Sequence, residues 1–142
     1  MLIMKTNCLK FTLFLLILSS CHNNLTTLPS GKKIDHRLVG VWVGSEKDKQ
    51  TEGVQKTWEM TRNDDGTFVL DFIFIESGES TEYHETGNWW IENGRFHEFH
   101  DKSGEIDIYK YEVLDNSRIK FNSKQISVEM NTDDYEFIDT RK

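Results

Sequence analysis

Cys8, Cys21 and the pair Glu98 and His100 are the side chains of this 142-residue chain from which chemistry could be built. Glu98 and His100 lie two apart in a run of strand character, so they point to one face and could act as an acid/base pair. No third group orients them in the sequence, and no Gly-x-Ser-x-Gly nucleophile elbow is present. An enzyme is therefore not expected. A metal site fails on the same periodicity. His97 and His100 are three apart and point to opposite faces of a strand, while His84 shares a face with His97 but is displaced along the ladder by about 20 Å. Zinc needs three or four ligands within about 2.3 Å. No metal and no cofactor are expected.

The cysteines have a different logic. Residues 1–20 hold Lys5, Lys10 and the apolar run Phe11 to Leu18. That run is shorter than the roughly 20 residues a membrane span requires and has the layout of a secretory signal. Its end, Leu18-Ser19-Ser20-Cys21, resembles a bacterial lipoprotein lipobox. The resemblance implies diacylglyceryl transfer to the Cys21 thiol, cleavage before Cys21, acylation of the new amino terminus with a fatty acid such as palmitate, and anchoring to a membrane. Cys8 lies in the segment that is removed, so the mature chain has one cysteine and no internal disulfide. His22, where enteric lipoproteins kept in the inner membrane carry Asp, points to the outer membrane, and the absence from His22-Asn23-Asn24 of the acidic cluster associated with surface export in some Bacteroidota points to its periplasmic face.

Loss of residues 1–20 takes two lysines and no acid, leaving 15 basic against 24 acidic residues. Such a chain repels a polyanion, so nucleic acid is not an expected partner. The chain contains no alanine and the mature part is rich in aromatic residues, which favours strands over helices and a core of few, large side chains. The organisation predicted is a signal peptide over 1–20, a lipidated Cys21 with a flexible tether over 21–35, and one β domain over 36–142 that behaves as a monomer. The tether is read from a polar stretch that contains the only proline. A short turn through His36, Arg37 and Leu38 opens the domain.

Strands are predicted near 39–45, 54–62, 67–76, 81–92, 95–101, 105–114, 118–122, 125–130 and 135–141. Turn chemistry sets their register. Asn63-Asp64-Asp65-Gly66 suits a type I turn followed by a left-handed glycine, which places Met60 opposite Leu70 and Trp58 opposite Phe72. Asn93-Gly94 suits a two-residue type I′ loop with Trp89 opposite Glu98 and Ile91 opposite Phe96. The turn Asp101 to Glu105, read by analogy with the first, brings Glu98 opposite Ile108. Consecutive hairpins make an antiparallel up-and-down meander of about eight or nine strands, all-β, which loses its exposed edges by closing into a barrel.

Leu38-Val39-Gly40-Val41-Trp42 resembles the Gly-x-Trp signature of the first lipocalin strand, and the chain ends on a strand carrying Arg141. The combination of lipobox, Leu-x-Gly-x-Trp start and aromatic meander resembles the lipocalin-like lipoproteins of Bacteroidota. The resemblance implies a lipocalin-like barrel, closed or incompletely closed, with Trp42 on its floor, Arg141 covering it and Gly40 beside it. It also makes the nine-residue stretch Ser45 to Gly53 a lid or a solvated loop. The inward set, which includes Trp58, Met60, Leu70, Phe72, Phe74, Trp89, Ile91, Phe96, Ile108 and Phe121, could line an apolar pocket or plug it. Candidate ligand contacts are Trp58, Phe72, Trp89, Phe96, Glu98 and His100, for a small apolar or amphipathic ligand. The alternative is a protein-interaction role, an envelope inhibitor or immunity-type lipoprotein whose acidic surface steers a basic partner.

Overall fold

The computed structural model describes residues 23–126 and 135–142. The signal segment, Cys21 and much of the expected 125–130 strand lie outside them. Ten strands form: β1 Leu25–Thr27, β2 Lys33–Asp35, β3 Gly40–Lys47, β4 Val54–Arg62, β5 Thr67–Glu76, β6 Glu79–Glu92, β7 Arg95–His100, β8 Ile106–Val113, β9 Arg118–Gln125 and β10 Glu136–Arg141. A 3₁₀ turn, His36–Leu38, precedes β3. Strands β3 to β10 pair antiparallel in chain order, and β10 returns to β3 through Thr140 opposite Val43 and Arg141 opposite Trp42. The result is a closed eight-stranded up-and-down barrel of lipocalin-like form.

Two of the three turns set the predicted register. Asn63 N–H donates to Thr67 O at 2.9 Å, Gly66 has φ +83°, and Trp58 faces Phe72 while Met60 faces Leu70. Asn93 and Gly94 have φ +51° and +71°, as a type I′ turn demands, and Trp89 faces Glu98. The third differs. His100 N–H donates to Glu105 O and Gly104 N–H to His100 O, so the loop is one residue longer than expected. Glu98 therefore faces Asp107, and His97 faces Ile108. Because side chains alternate with period two, this single step turns Ile108 outward and brings Asp107 and Tyr109 into the interior.

The stretch expected as a flexible tether is built into the domain from Leu25 onward. Strand β1 pairs with β2, and β2 joins the barrel where Lys33 meets Ile91. Ile34 is fully buried, and Leu25 and Leu28 pack on the same core. The physical reason is visible in the sequence: three apolar side chains interrupt the polar residues and have an uncovered barrel end to fill. Strand β9 also runs unbroken to Gln125, where two shorter strands were expected to meet; Ser123 is buried and its N–H donates to Tyr135 O.

The two ends of the barrel are unlike. At the end carrying the Asn63–Gly66 and Asn93–Gly94 turns, the interior is packed with Trp42, Phe68, Trp89, Phe96, Ile119 and Phe121, capped by Ile34 and Leu38. Trp42 Nε1 donates to Leu38 O at 2.8 Å, and the Arg141 guanidinium lies 4.2 Å from its ring centre. Arg141 also donates to Val39 O, Arg37 O and Asn116 O. Gly40 makes room for it: φ is +128°, a conformation closed to most side chains, and a Cβ there would stand 2.5 Å from Arg141 Nη1. The other end, bounded by the β3–β4, β5–β6 and β7–β8 loops, is open.

Candidate functional site

A cavity of about 450 Å³ occupies the open half of the barrel, within the range of small-molecule sites. Its apolar wall comes from inward positions of β4 and β5, Trp58, Met60, Leu70, Phe72 and Phe74, with Phe137 from β10. Trp58 is wedged into the space left by Gly44, where a Cβ would come within 2.1 Å of its ring. Of the six expected contacts, Trp58, Phe72, Glu98 and His100 line the cavity. Trp89 and Phe96 do not: each is 1% exposed, they stack on one another, and Trp89 Nε1 donates to Asn63 O. They sit one tier lower, on the plugged floor. Ile108 is likewise replaced by Tyr109. The interior is thus both plugged and hollow, in different halves.

The polar groups of the wall fall into three sets. Lys56 Nζ lies 3.2 Å from Glu46 Oε1, and Tyr135 O–H donates to Glu46 Oε2 at 2.8 Å. Arg62 Nη2 donates to Asp139 Oδ2 at 2.7 Å, Trp58 Nε1 donates to Asp139 Oδ1 at 2.8 Å, and the guanidinium lies 5.0 Å from the ring centres of both Phe96 and Phe121. The third set centres on His100. Its Nδ1 is 2.7 Å from Glu85 Oε2, and its Nε2 is 3.3 Å from Asp107 Oδ2 and 3.5 Å from Glu98 Oε1. Tyr109 O–H donates to Asp107 Oδ2 at 3.2 Å.

Proton affinities follow from this packing. Burial pushes Glu98 up to about 7, against the opposing pull of His100 and Arg62 and with help from Asp107 and Asp139. For His100, burial favours the neutral ring, but the close carboxylates of Asp107 and Glu98 and the hydrogen bond with Glu85 outweigh it, giving about 9. Tyr109 is raised well above its ordinary value, chiefly by burial. At neutral pH the ring of His100 is a cation held among carboxylates.

Sequence reasoning missed Glu46, Lys56, Arg62, Glu85, Asp107 and Asp139. Five of these have a strand parity that marks them as inward: Arg62 with Trp58 and Met60, Lys56 with the same row, Glu85 with Trp89, Glu46 with Trp42, Asp139 with Phe137. Asp107 required the correct turn length. Among the described residues, no His, Cys, Asp and Glu side chains are grouped to hold a metal ion, and no helix is long and apolar enough to cross a membrane. The β3–β4 loop, shorter than expected because β3 extends to Lys47, reaches the mouth through Gln50, which lines the cavity and bonds Lys56.

Fold and cavity together define a lipocalin-like barrel with room for one small molecule. Compared with models of known protein families and with curated proteins, the chain matches none.

Proposed function

We propose that this chain is a lipid-anchored bacterial envelope protein, held at the periplasmic face of the outer membrane, whose barrel binds a small amphipathic molecule. The observation that carries the reading is the cavity: an aromatic wall with a few buried charged groups set into it, the usual makeup of a small-molecule site. A barrel filled along its whole length would have favoured the protein-interaction role. The placement of Arg141 on Trp42 beside Gly40 supports kinship with lipocalins, whose signature these residues resemble. The role we read is binding, with His100 as a fixed part of the polar wall, held through Nδ1 by Glu85.

Native mass spectrometry of protein purified from its own membrane is the test. Release of a stoichiometric small molecule supports the reading, whereas retention of a protein partner with an empty barrel overturns it. Anchoring is tested separately by Cys21→Ser, which should move the protein from the membrane to the soluble envelope fraction. Retention of the variant on the membrane would sink the lipobox.

A further inference from the structure

The charges of the cavity wall do not balance, and the imbalance has one sign. Lys56 is matched by Glu46 and Arg62 by Asp139. Among the described residues that leaves His100, one cation, facing the three carboxylates of Glu85, Glu98 and Asp107, with the exposed Glu105 also on the lining. Glu98 is 6% exposed and lines the cavity, and among the described residues the nearest cation to its carboxyl is His100 Nε2 at 3.5 Å, beyond a good bond. His100 Nε2 is itself buried without a hydrogen-bond partner. A buried carboxylate in an aromatic enclosure is costly unless a cation or a proton reaches it.

We infer that the cavity is built for a ligand carrying a protonated amine on an apolar body, with the ammonium group set against Glu98 and its neighbours Glu85 and Asp107, and the body against Trp58, Phe72 and Phe137. This inference rests on the small-molecule reading above. Tyr109 and Phe137, packed edge to face at 5.6 Å, line the same space. An anion would instead be set against the carboxylates of Glu85, Glu98 and Asp107 that surround His100. Every cation of the wall already has its carboxylate, and the two remaining Arg62 donors, Nε and Nη1, are enclosed beside Phe96 and Phe121. Without ligand, Glu98 is partly protonated at neutral pH because burial disfavours its charge. The groups facing it are His100 on its own strand, Arg62 on β4, Glu85 on β6, Asp107 and Tyr109 on β8, and Asp139 on β10. The ammonium replaces the proton, so binding releases a fraction of a proton near pH 7.

Three ligands with one body separate the outcomes: phenylbutylamine, phenylbutanol and phenylbutyrate, titrated calorimetrically into the full chain at neutral pH. The amine should bind at least about tenfold tighter than the acid, with proton release seen as a dependence of the heat on the buffer. Glu98→Gln should abolish the proton release and most of the preference, with a native tryptophan fluorescence spectrum and a cooperative urea transition showing that the variant is folded. Glu85→Gln, at a more exposed position, should reduce the preference less. Equal binding of amine and acid, or an undiminished preference in Glu98→Gln, overturns this inference and leaves the cavity reading intact. Binding of none of the three overturns the cavity reading along with it.

Discussion

Arg62 and Asp139 form an ion pair of 2.7 Å inside the barrel, with only 2% and 1% of their side chains exposed. The pair joins β4 to β10 across the interior, and the Trp58 indole N–H satisfies the second carboxylate oxygen. It is the structural boundary between the packed floor and the hollow half above it.

Removing one member should therefore cost far more than removing both. Asp139→Ala leaves a buried guanidinium uncompensated and should lower stability by about 3–5 kcal/mol. Replacing both, with Arg62→Met and Asp139→Leu, should recover most of that loss, because the desolvation cost disappears with the charges. Urea unfolding followed by tryptophan fluorescence measures both, and a double variant no more stable than Asp139→Ala would refute the account.

On the floor, Trp42→Ala should cost about 3–5 kcal/mol, as for other large core aromatics. A loss below about 1 kcal/mol would mean that the cap of Arg141 over Trp42 carries little of the fold. Gly40→Ala should also destabilise, through both its positive φ and the displaced guanidinium, and adding Arg141→Ala should relieve only the second part.

Stability should fall as pH rises from mildly acid to alkaline. Glu98, raised from 4.5 to about 7, binds a proton in the folded state that the unfolded chain has released, so folding weakens as pH climbs through that window. His100, raised from 6.5 to about 9, contributes stability that is complete below the lower value and is lost through the higher. Each such group gives a slope of at most about 1.4 kcal/mol per pH unit. Asp35, whose hydrogen bonds to Arg37 and Tyr111 outweigh burial and lower it, acts in the other direction, in acid below its ordinary 3.8. Melting temperatures across this range should peak near about pH 5, and Glu98→Gln should flatten the acid-to-neutral limb. A peak above about pH 8 would contradict the assignment of His100.

The N-terminal strap gives a further check. Ile34→Ala should cost about 2–5 kcal/mol, the usual loss for a fully buried aliphatic side chain. A freely moving stalk would make the substitution silent, and a silent result would return residues 25–35 to the tether.

How far the sequence could be read depended on whether turn and pattern spoke independently. At Asn63–Gly66 and Asn93–Gly94 the turn residues and the alternation of Trp58, Met60, Leu70 and Phe72 pointed to one register, and that register is found. At Asp101–Glu105 the flanking pattern was ambiguous: Ile106 and Ile108 alternate as regularly as Asp107 and Tyr109. Analogy with the Asn63–Gly66 turn then decided for Ile108 inward, and that register is the wrong one. The charged interior was missed because hydrophobic alternation assigns acids and bases to the water side. Arg62, Glu85 and Asp139 have inward parity, but only three-dimensional pairing shows that each has a partner there.

The strap across the closed end has a consequence for how cargo arrives. Asn23 and Asn24 lie in one crevice with the Asn93–Gly94 turn, so the chain leaves the barrel at its base. From Leu25 back to the acyl group proposed at Cys21 is a leash of about 14 Å at full extension. With Cys21 acylated as proposed, so short a leash would stand the barrel on its anchoring leaflet like a cup on its foot, rim outward. A guest would then have to come across the aqueous gap or be handed over by whatever faces the rim, not slide in sideways from the lipids beneath.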